Sequence, residues 1–83
     1  MFEIMFPHVL LTANSTTTLS SSSLDTQRSI SAALGLLSER APNTERVPET
    51  GHYISRVEDS RIVWTRVPGS DDIRVLSIFV PNK

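Results

Sequence analysis

Alternating hydrophobic and polar residues in the C-terminal half of the chain predict three short β-strands. The segments are HYISRV (52–57), RIVWTRV (61–67) and IRVLSIFV (73–80). They are separated by the turn-forming residues 58–60 and 68–72, and loops this short connect antiparallel neighbours. We therefore expect residues 52–80 to form a three-stranded antiparallel meander.

The period of two assigns side chains to the two faces of this sheet. In the middle strand, Ile62 and Trp64 share one face and Arg61 lies on the other. In the last strand, strict alternation gives two opposing sets: Ile73, Val75 and Phe79 against Leu76, Ile78 and Val80. Because both sets are apolar, we expect the last strand to be an interior strand covered on both faces.

An amphipathic helix is predicted over residues 24–40. Its apolar stripe has the spacing i, i+3, i+4, i+7 and consists of Ile30, Ala33, Leu34 and Leu37. Ser22 and Asp25 fit the capping pattern of a helix start, and Pro42 favours an end near residue 40. The stripe must be buried, and the sheet is the expected partner.

The N-terminal half has weaker patterns. Residues 2–6 (FEIMF) predict a strand that ends at Pro7, and residues 8–13 fit either a second strand or the first turn of a helix. The polar segment NSTTTLSSSS (14–23) favours a flexible loop, with a polar edge strand as the alternative, because Ser and Thr hydroxyls compete for backbone hydrogen bonds. Residues 42–51 favour a loop.

Together these elements predict one α+β domain spanning residues 1–83. We expect a small antiparallel sheet of three to four strands with one main amphipathic helix packed on one face. A chain of 83 residues buries only about 60% of the surface that its unfolded chain exposes and is marginally stable alone, so a partner subunit, including a second copy in a homodimer, would add stability.

Composition narrows the function classes. The chain has 39% hydrophobic residues, no cysteine and a net charge of −1, which is typical of a globular protein without disulfides or a thiolate metal site. No segment approaches the length of a membrane helix, so no membrane partner is expected. The N-terminus lacks the positive region of a signal peptide, which together with the absence of cysteine favours the cytoplasm.

The C-terminal half resembles the RelE/ParE superfamily of bacterial type II toxin–antitoxin toxins. The resemblance rests on three segments: SISAALGLLSERAP, HYISRVEDSRIVWTRV and DIRVLSIFV. In that family, a helix ending at proline leads to a strand, then to a "yRivy"-like strand and an "i.vl.i" strand. Here Arg61 occupies the family's arginine position, and Trp64 replaces the usual tyrosine.

The sequence departs from that family in two respects. Family members commonly have a helical hairpin after the first strand, where this chain has NSTTTLSSSS, so one helix is expected to be shortened or lost. Family ribonucleases also tend to be basic, whereas this chain has a pI near 6.0. Either departure fits a degenerate member without toxic activity.

The resemblance implies candidate catalytic residues. In RelE-like members a ribose 2′-OH attacks the adjacent phosphate during ribosome-dependent mRNA cleavage, which needs a cation on the phosphate and groups that move protons. Arg61 is the expected phosphate holder, or else a solvent-exposed strand residue. Arg56 is expected near Arg61, or else is a solvated strand charge.

Proton transfer and substrate binding have weaker candidates. Tyr53 and His52 could act as acid or base, although a residue at the start of a strand is more often structural. Lys83 stands where some family members keep a C-terminal cation, but chain ends usually fray. Trp64 is predicted to be core, with base stacking as the rival role. No metal or cofactor is expected, because no such motif is present.

Three functions are compatible with these patterns. The first is a toxin acting as a RelE-like endonuclease, or its inactive relative, with a cognate antitoxin and the ribosome or mRNA as partners. The second is a non-catalytic, ParE-like gyrase binder. The third is a plain protein-interaction domain with an exposed sheet edge. The first requires Arg61 to be solvent-accessible, close to Arg56, and on the face opposite Ile62 and Trp64.

Overall fold

The computed structural model describes residues 8–81, which contain five strands and two helices. In chain order these are β1 (Val9–Leu11), α1 (Ala13–Ser20), α2 (Leu24–Leu34), β2 (Thr44–Arg46), β3 (Tyr53–Val57), β4 (Ser60–Arg66) and β5 (Ile73–Phe79). The strand predicted over residues 2–6 lies outside the described residues. Neither helix is long and apolar enough to cross a membrane.

The predicted meander is confirmed. Strands β3, β4 and β5 are antiparallel neighbours, joined by the turn after Val57 and the hairpin loop that precedes Ile73. The α+β class is also confirmed. The sheet itself is larger than predicted: its five strands have the order β1-β5-β4-β3-β2, and β1 runs parallel to β5. The sheet is therefore mixed, in contrast to the expected antiparallel sheet of three to four strands.

The hydrophobic pattern does not predict β2 and leaves β1 ambiguous, because each of these edge strands is only three residues long. Strand β2 lies in the segment 42–51 that was expected to be a loop, and its residues Thr44, Glu45 and Arg46 show no hydrophobic alternation. It forms by pairing with β3 in an antiparallel register. Strand β1 resolves the ambiguity of residues 8–13, because the strand ends at Leu11 and the first helix begins at Ala13.

Most of the Ser/Thr-rich tract, residues 14–20, is helical, so the expected loop and the alternative edge strand are both wrong there, and residues 21–23 connect the two helices. Thr12 caps α1 by accepting a hydrogen bond from the Ser15 amide. The hydroxyls of Ser21 and Ser22 donate to carbonyls four residues earlier, at Thr17 and Thr18. These bonds leave the helical backbone pattern in place. Leu19, with 1% of its surface exposed, anchors the helix to the sheet.

Helix α2 is shorter than predicted. Its N-cap is Ser23, one residue after the expected Ser22, and the Ser23 hydroxyl accepts from the Thr26 amide. The helix ends at Leu34 because Gly35, a poor helix former, occupies the C-cap. Residues 35–40 instead form turns and irregular backbone. Ile30 and Leu34 are buried, which confirms that this part of the apolar stripe faces the core, whereas Leu37 lies beyond the end of the helix.

A β-bulge in β5 changes the faces of that strand. Val63 pairs with Ser77, but Trp64 pairs with Val75, so Leu76 is an extra residue. Ile78 therefore joins Ile73 and Val75 in the core, and Phe79 points to the other face. The predicted grouping of Phe79 with Ile73 and Val75 is wrong. Strand β5 is interior, as expected, but it is not covered on both faces, because Phe79 is 58% exposed.

Both helices pack on one face of the sheet. The core consists of eight buried side chains: Leu19, Ile30, Leu34, Ile62, Trp64, Ile73, Val75 and Ile78. Its largest member, Trp64, is fully buried and donates from Nε1 to the Ser55 hydroxyl at 2.8 Å. This confirms Trp64 as core and excludes its rival role as an exposed stacking surface.

Candidate functional site

The face of the sheet opposite the helices carries two arginines side by side. Arg56 on β3 pairs directly with Arg61 on β4, and Arg61 pairs with Phe79 on β5. Directly opposed residues have Cβ atoms about 4.5–5.5 Å apart. The turn between β3 and β4 is what brings the two cations together, since Val57 and Ser60 close the hairpin one residue further along.

Arg61 lies where the catalytic hypothesis required it. It is exposed, while its sequence neighbour Ile62 and the next inward residue Trp64 are fully buried on the helix side. Within residues 8–81, its guanidinium takes part in no ion pair or side-chain hydrogen bond. An exposed guanidinium that has no ion-pair partner among residues 8–81 has the planar geometry that suits an anion.

Arg56 has an acidic partner. Its guanidinium donates to Glu45 Oε1 at 2.8 Å, and both side chains are more than half exposed. An ion pair this exposed contributes about 0–1 kcal/mol to stability. The pair therefore holds Arg56 only weakly in its present position.

A third arginine, Arg74, lies on the same face. It is exposed and stands between Thr65 of β4 and Leu10 of β1. The charged residues that the five strands direct to this face are Arg56, Arg61, Arg74 and Glu45. The chain as a whole has net charge −1, so this face is cationic by segregation of charge. We call it the open face.

Sequence reasoning missed Arg74 and Phe79 for different reasons. Arg74 lies between Ile73 and Val75, which the pattern already placed on one face, so the alternation alone could have identified it. Phe79 was assigned to the wrong face because the bulge at Leu76 resets the alternation. No residue type at or near Leu76 predicts that bulge.

The structure does not bring the other candidates to the arginines. Tyr53 lies on the helix side, stacked on Trp64 with ring centroids 4.7 Å apart. His52 immediately precedes β3, roughly 13 Å along the strand from Arg56, and its backbone bonds to Thr50 and Val47 in the preceding loop. Lys83 lies outside the described residues.

The strand side chains of the open face determine which chemistry it can perform. Its strand residues within 8–81 offer three guanidinium groups and one carboxylate, which is already paired. They include no histidine or tyrosine, and nowhere in the same range does a group of three or more His, Asp or Glu side chains form a metal site. Among residues 8–81, the strand side chains of this face are therefore mainly cationic, and they include no pair of groups for proton transfer.

A separate ion pair lies at the edge of the helix side of the sheet. Arg66 donates to both carboxylate oxygens of Glu39, at 2.7 and 3.0 Å, and to the Asp71 carbonyl at 2.7 Å. These hydrogen bonds from Arg66 lower the pKa of Glu39 from 4.5 to about 2, and the bond to Glu39 raises the pKa of Arg66. The contact ties the segment after α2 to the loop between β4 and β5.

Comparison with known proteins adds no family assignment. No protein-family model matches the chain, and no curated protein matches its sequence with significance.

Proposed function

We propose that this chain is a RelE/ParE-like toxin domain that acts on RNA through the open face of its sheet. The observation that carries the proposal is the placement of Arg61, which is exposed, without a counter-ion among residues 8–81, and directly opposite Arg56. Two adjacent arginines repel each other unless a negative charge lies near them, and Glu45 supplies such a charge to Arg56 but not to Arg61. A phosphate meets this requirement and is held well by planar guanidinium groups.

The order of elements supports the proposal. A strand is followed by two helices and then by an antiparallel meander, which is the order that the resemblance implies. The Ser/Thr tract was expected to contain a shortened helix or none. It contains α1, a helix of eight residues that precedes α2, and the presence of two helices after β1 supports the proposal.

The charge distribution bears on the second departure. The chain is slightly acidic, but one acidic residue, Glu45, accompanies three arginines on the strands of the open face. RNA affinity depends on clustered cations at the contact surface, and the net charge of the whole chain matters less. The low pI is thus compatible with an RNA target.

The proposed role of the chain is to hold and orient the scissile phosphate. In a ribosome-dependent reaction, Arg61 would stabilise negative charge that develops on the phosphate, with Arg56 beside it. Tyr53 has no part in this step, because it is stacked in the core on the opposite face. The roles of proton donor and acceptor are not assigned to any residue in 8–81.

A second candidate function is favoured because no residue in 8–81 is assigned as proton donor or acceptor. A ParE-like binder of gyrase needs a recognition surface and no proton transfer, and the open face without an acid–base pair satisfies this condition. Both functions predict toxicity and an antitoxin partner. They differ in the cellular process that stops first.

Induced expression in bacteria tests the proposal. Wild-type protein should arrest translation within minutes of induction, and Arg61→Ala should abolish the arrest because the phosphate contact is lost. Arg28→Ala removes an exposed arginine on α2 and is the matched control, expected to retain toxicity. Both variants should melt within about 2–4 °C of wild type, as exposed substitutions usually do.

The readouts separate the candidates. Incorporation of a labelled amino acid reports translation, and cell length reports gyrase inhibition. Filamentation with continued translation would replace the RNA proposal with the gyrase alternative, and normal growth in all strains would reject the toxin class. Co-expression of a short neighbouring reading frame should relieve the arrest if it encodes the antitoxin.

A further inference from the structure

An aromatic side chain stands beside the arginines of the open face. Phe79 is 58% exposed and is the direct cross-strand neighbour of Arg61. A large apolar ring with this exposure gains little from folding, since it remains mostly in water. The core loses nothing to its outward position, because Ile78 fills the inward place after the bulge.

The open face is also extended. Arg74 and Phe79 are five positions apart on β5, which corresponds to roughly 15 Å along the strand. Between them the face is formed by small and medium side chains, including Ser77 and Val63, and it contains no acidic residue on β4 or β5. A flexible polyanion can cross this stretch without meeting a negative charge.

We propose that the open face binds single-stranded nucleic acid, with one base stacked on Phe79 and the flanking phosphates held by Arg61 and Arg74. The proposal rests on the proposed function for its RNA target and for the role of Arg61. It adds Phe79 as a stacking residue and Arg74 as a second phosphate contact.

Ring and charge together favour an unpaired strand. Aromatic side chains stack on bases that are splayed out, and arginines beside them track the backbone. In a duplex the bases already stack on each other, so Phe79 would have no partner. An acidic protein would satisfy the arginines, but it would leave the exposed ring of Phe79 without a specific contact.

The test measures binding of purified protein to a labelled RNA of about 12 nucleotides and mixed sequence, within the usual site size of such surfaces. The same RNA annealed to its complement is the duplex probe. We expect the single strand to bind tighter than the duplex. Phe79→Leu keeps an apolar side chain and removes the ring, and it should weaken single-strand binding about 5- to 150-fold.

Phe79→Trp and Arg28→Ala are the controls. Phe79→Trp restores a stacking ring and should bind within about threefold of wild type, which a merely structural role of Phe79 would not predict. Arg74→Ala should weaken binding and reduce the slope of log Kd against log salt by about 0.7, the value for one phosphate contact on a single strand. Arg28→Ala should leave both affinity and slope unchanged.

The outcomes distinguish this inference from the proposed function. If Arg61→Ala weakens binding but Phe79→Leu and Arg74→Ala match wild type, the stacking platform is rejected and the phosphate role of Arg61 stands. If Phe79→Leu and Arg74→Ala weaken binding but induced protein is harmless, the platform stands and the toxin assignment is rejected. Equal binding of duplex and single strand, or binding of neither, would overturn the inference.

Discussion

The two faces of the sheet are made by the same strands but differ in burial and in charge. On the helix side, Ile62, Trp64 and Val75 are fully buried, and every buried side-chain polar atom in the described residues has a hydrogen-bond partner. On the open face, Arg56, Arg61, Arg74 and Phe79 are exposed. Adjacent residues on a strand therefore have different environments. The helix-side residues stabilise the fold, and the open-face residues are exposed to solvent.

This separation has a practical consequence. Because alternate residues point to opposite faces, an open-face residue can be replaced with little effect on the core. Stability and binding should therefore respond to different substitutions.

The largest expected difference is between the two aromatic residues. Trp64→Ala removes the largest buried side chain and leaves the Ser55 hydroxyl without the indole donor, so it should lower the free energy of unfolding by about 3–5 kcal/mol. Phe79→Ala should lower it by less than about 1 kcal/mol, since the ring is mostly exposed. Urea unfolding followed by circular dichroism measures both. Similar losses in the two variants would mean that the open face is also packed.

A smaller effect is expected at a buried hydroxyl. Ser15 in α1 is fully buried and donates to the Val75 carbonyl at 3.2 Å, next to the bulge. That carbonyl also accepts from the Thr12 amide, so Ser15→Ala should cost about 0.5–1.5 kcal/mol. Ser20→Ala, at an exposed position of the same helix, should be neutral or slightly stabilising, because alanine has the higher helix propensity. A neutral Ser15→Ala would show that Leu19 and the hydrogen bonds of Thr12 hold α1 without this contact.

The smallest effect concerns pH. The pKa of Glu39 is lowered from 4.5 to about 2 by hydrogen bonds from Arg66, so its contribution to stability is present above pH 4.5 and is lost as the pH falls toward 2. Glu39 and Arg66 are about one-third exposed, and solvent screening keeps the contribution small, below about 1 kcal/mol. The Glu39→Gln variant should therefore lose less stability than wild type between pH 4.5 and 2.

The open-face ion pair provides the control for this measurement. Arg56 and Glu45 make a single hydrogen bond and are more exposed than Arg66 and Glu39. Glu45→Gln should change stability less than Glu39→Gln at neutral pH, as thermal melts at a series of pH values would show. Equal effects would indicate that the double hydrogen bond from Arg66 adds nothing to stability. Glu45→Gln should also strengthen RNA binding, because among residues 8–81 it removes the acidic side chain that the strands direct to the open face.

Part of the candidate site was predictable from the sequence. Alternation together with a short turn was enough to place Arg61 outward, Ile62 and Trp64 inward, and Arg56 beside Arg61, because these features depend on neighbouring residues in one hairpin. The meander and the buried stripe of α2 follow from equally local patterns. Phe79 was not predictable, since the bulge at Leu76 depends on how β5 meets both β4 and the start of α1.

The sequence by itself therefore determined the class of fold, the C-terminal meander and the paired arginines. Tertiary structure alone decided that the Ser/Thr tract is helical, that β1 and β2 extend the sheet, and that Phe79 faces solvent. The physical reason is the range of the interactions. Tight turns and the period of two act within a few residues, whereas a polar helix and three-residue strands are stabilised by partners far along the chain, such as Leu19 in the core and the hydroxyls of Thr12 and Ser15 on the carbonyls of β5.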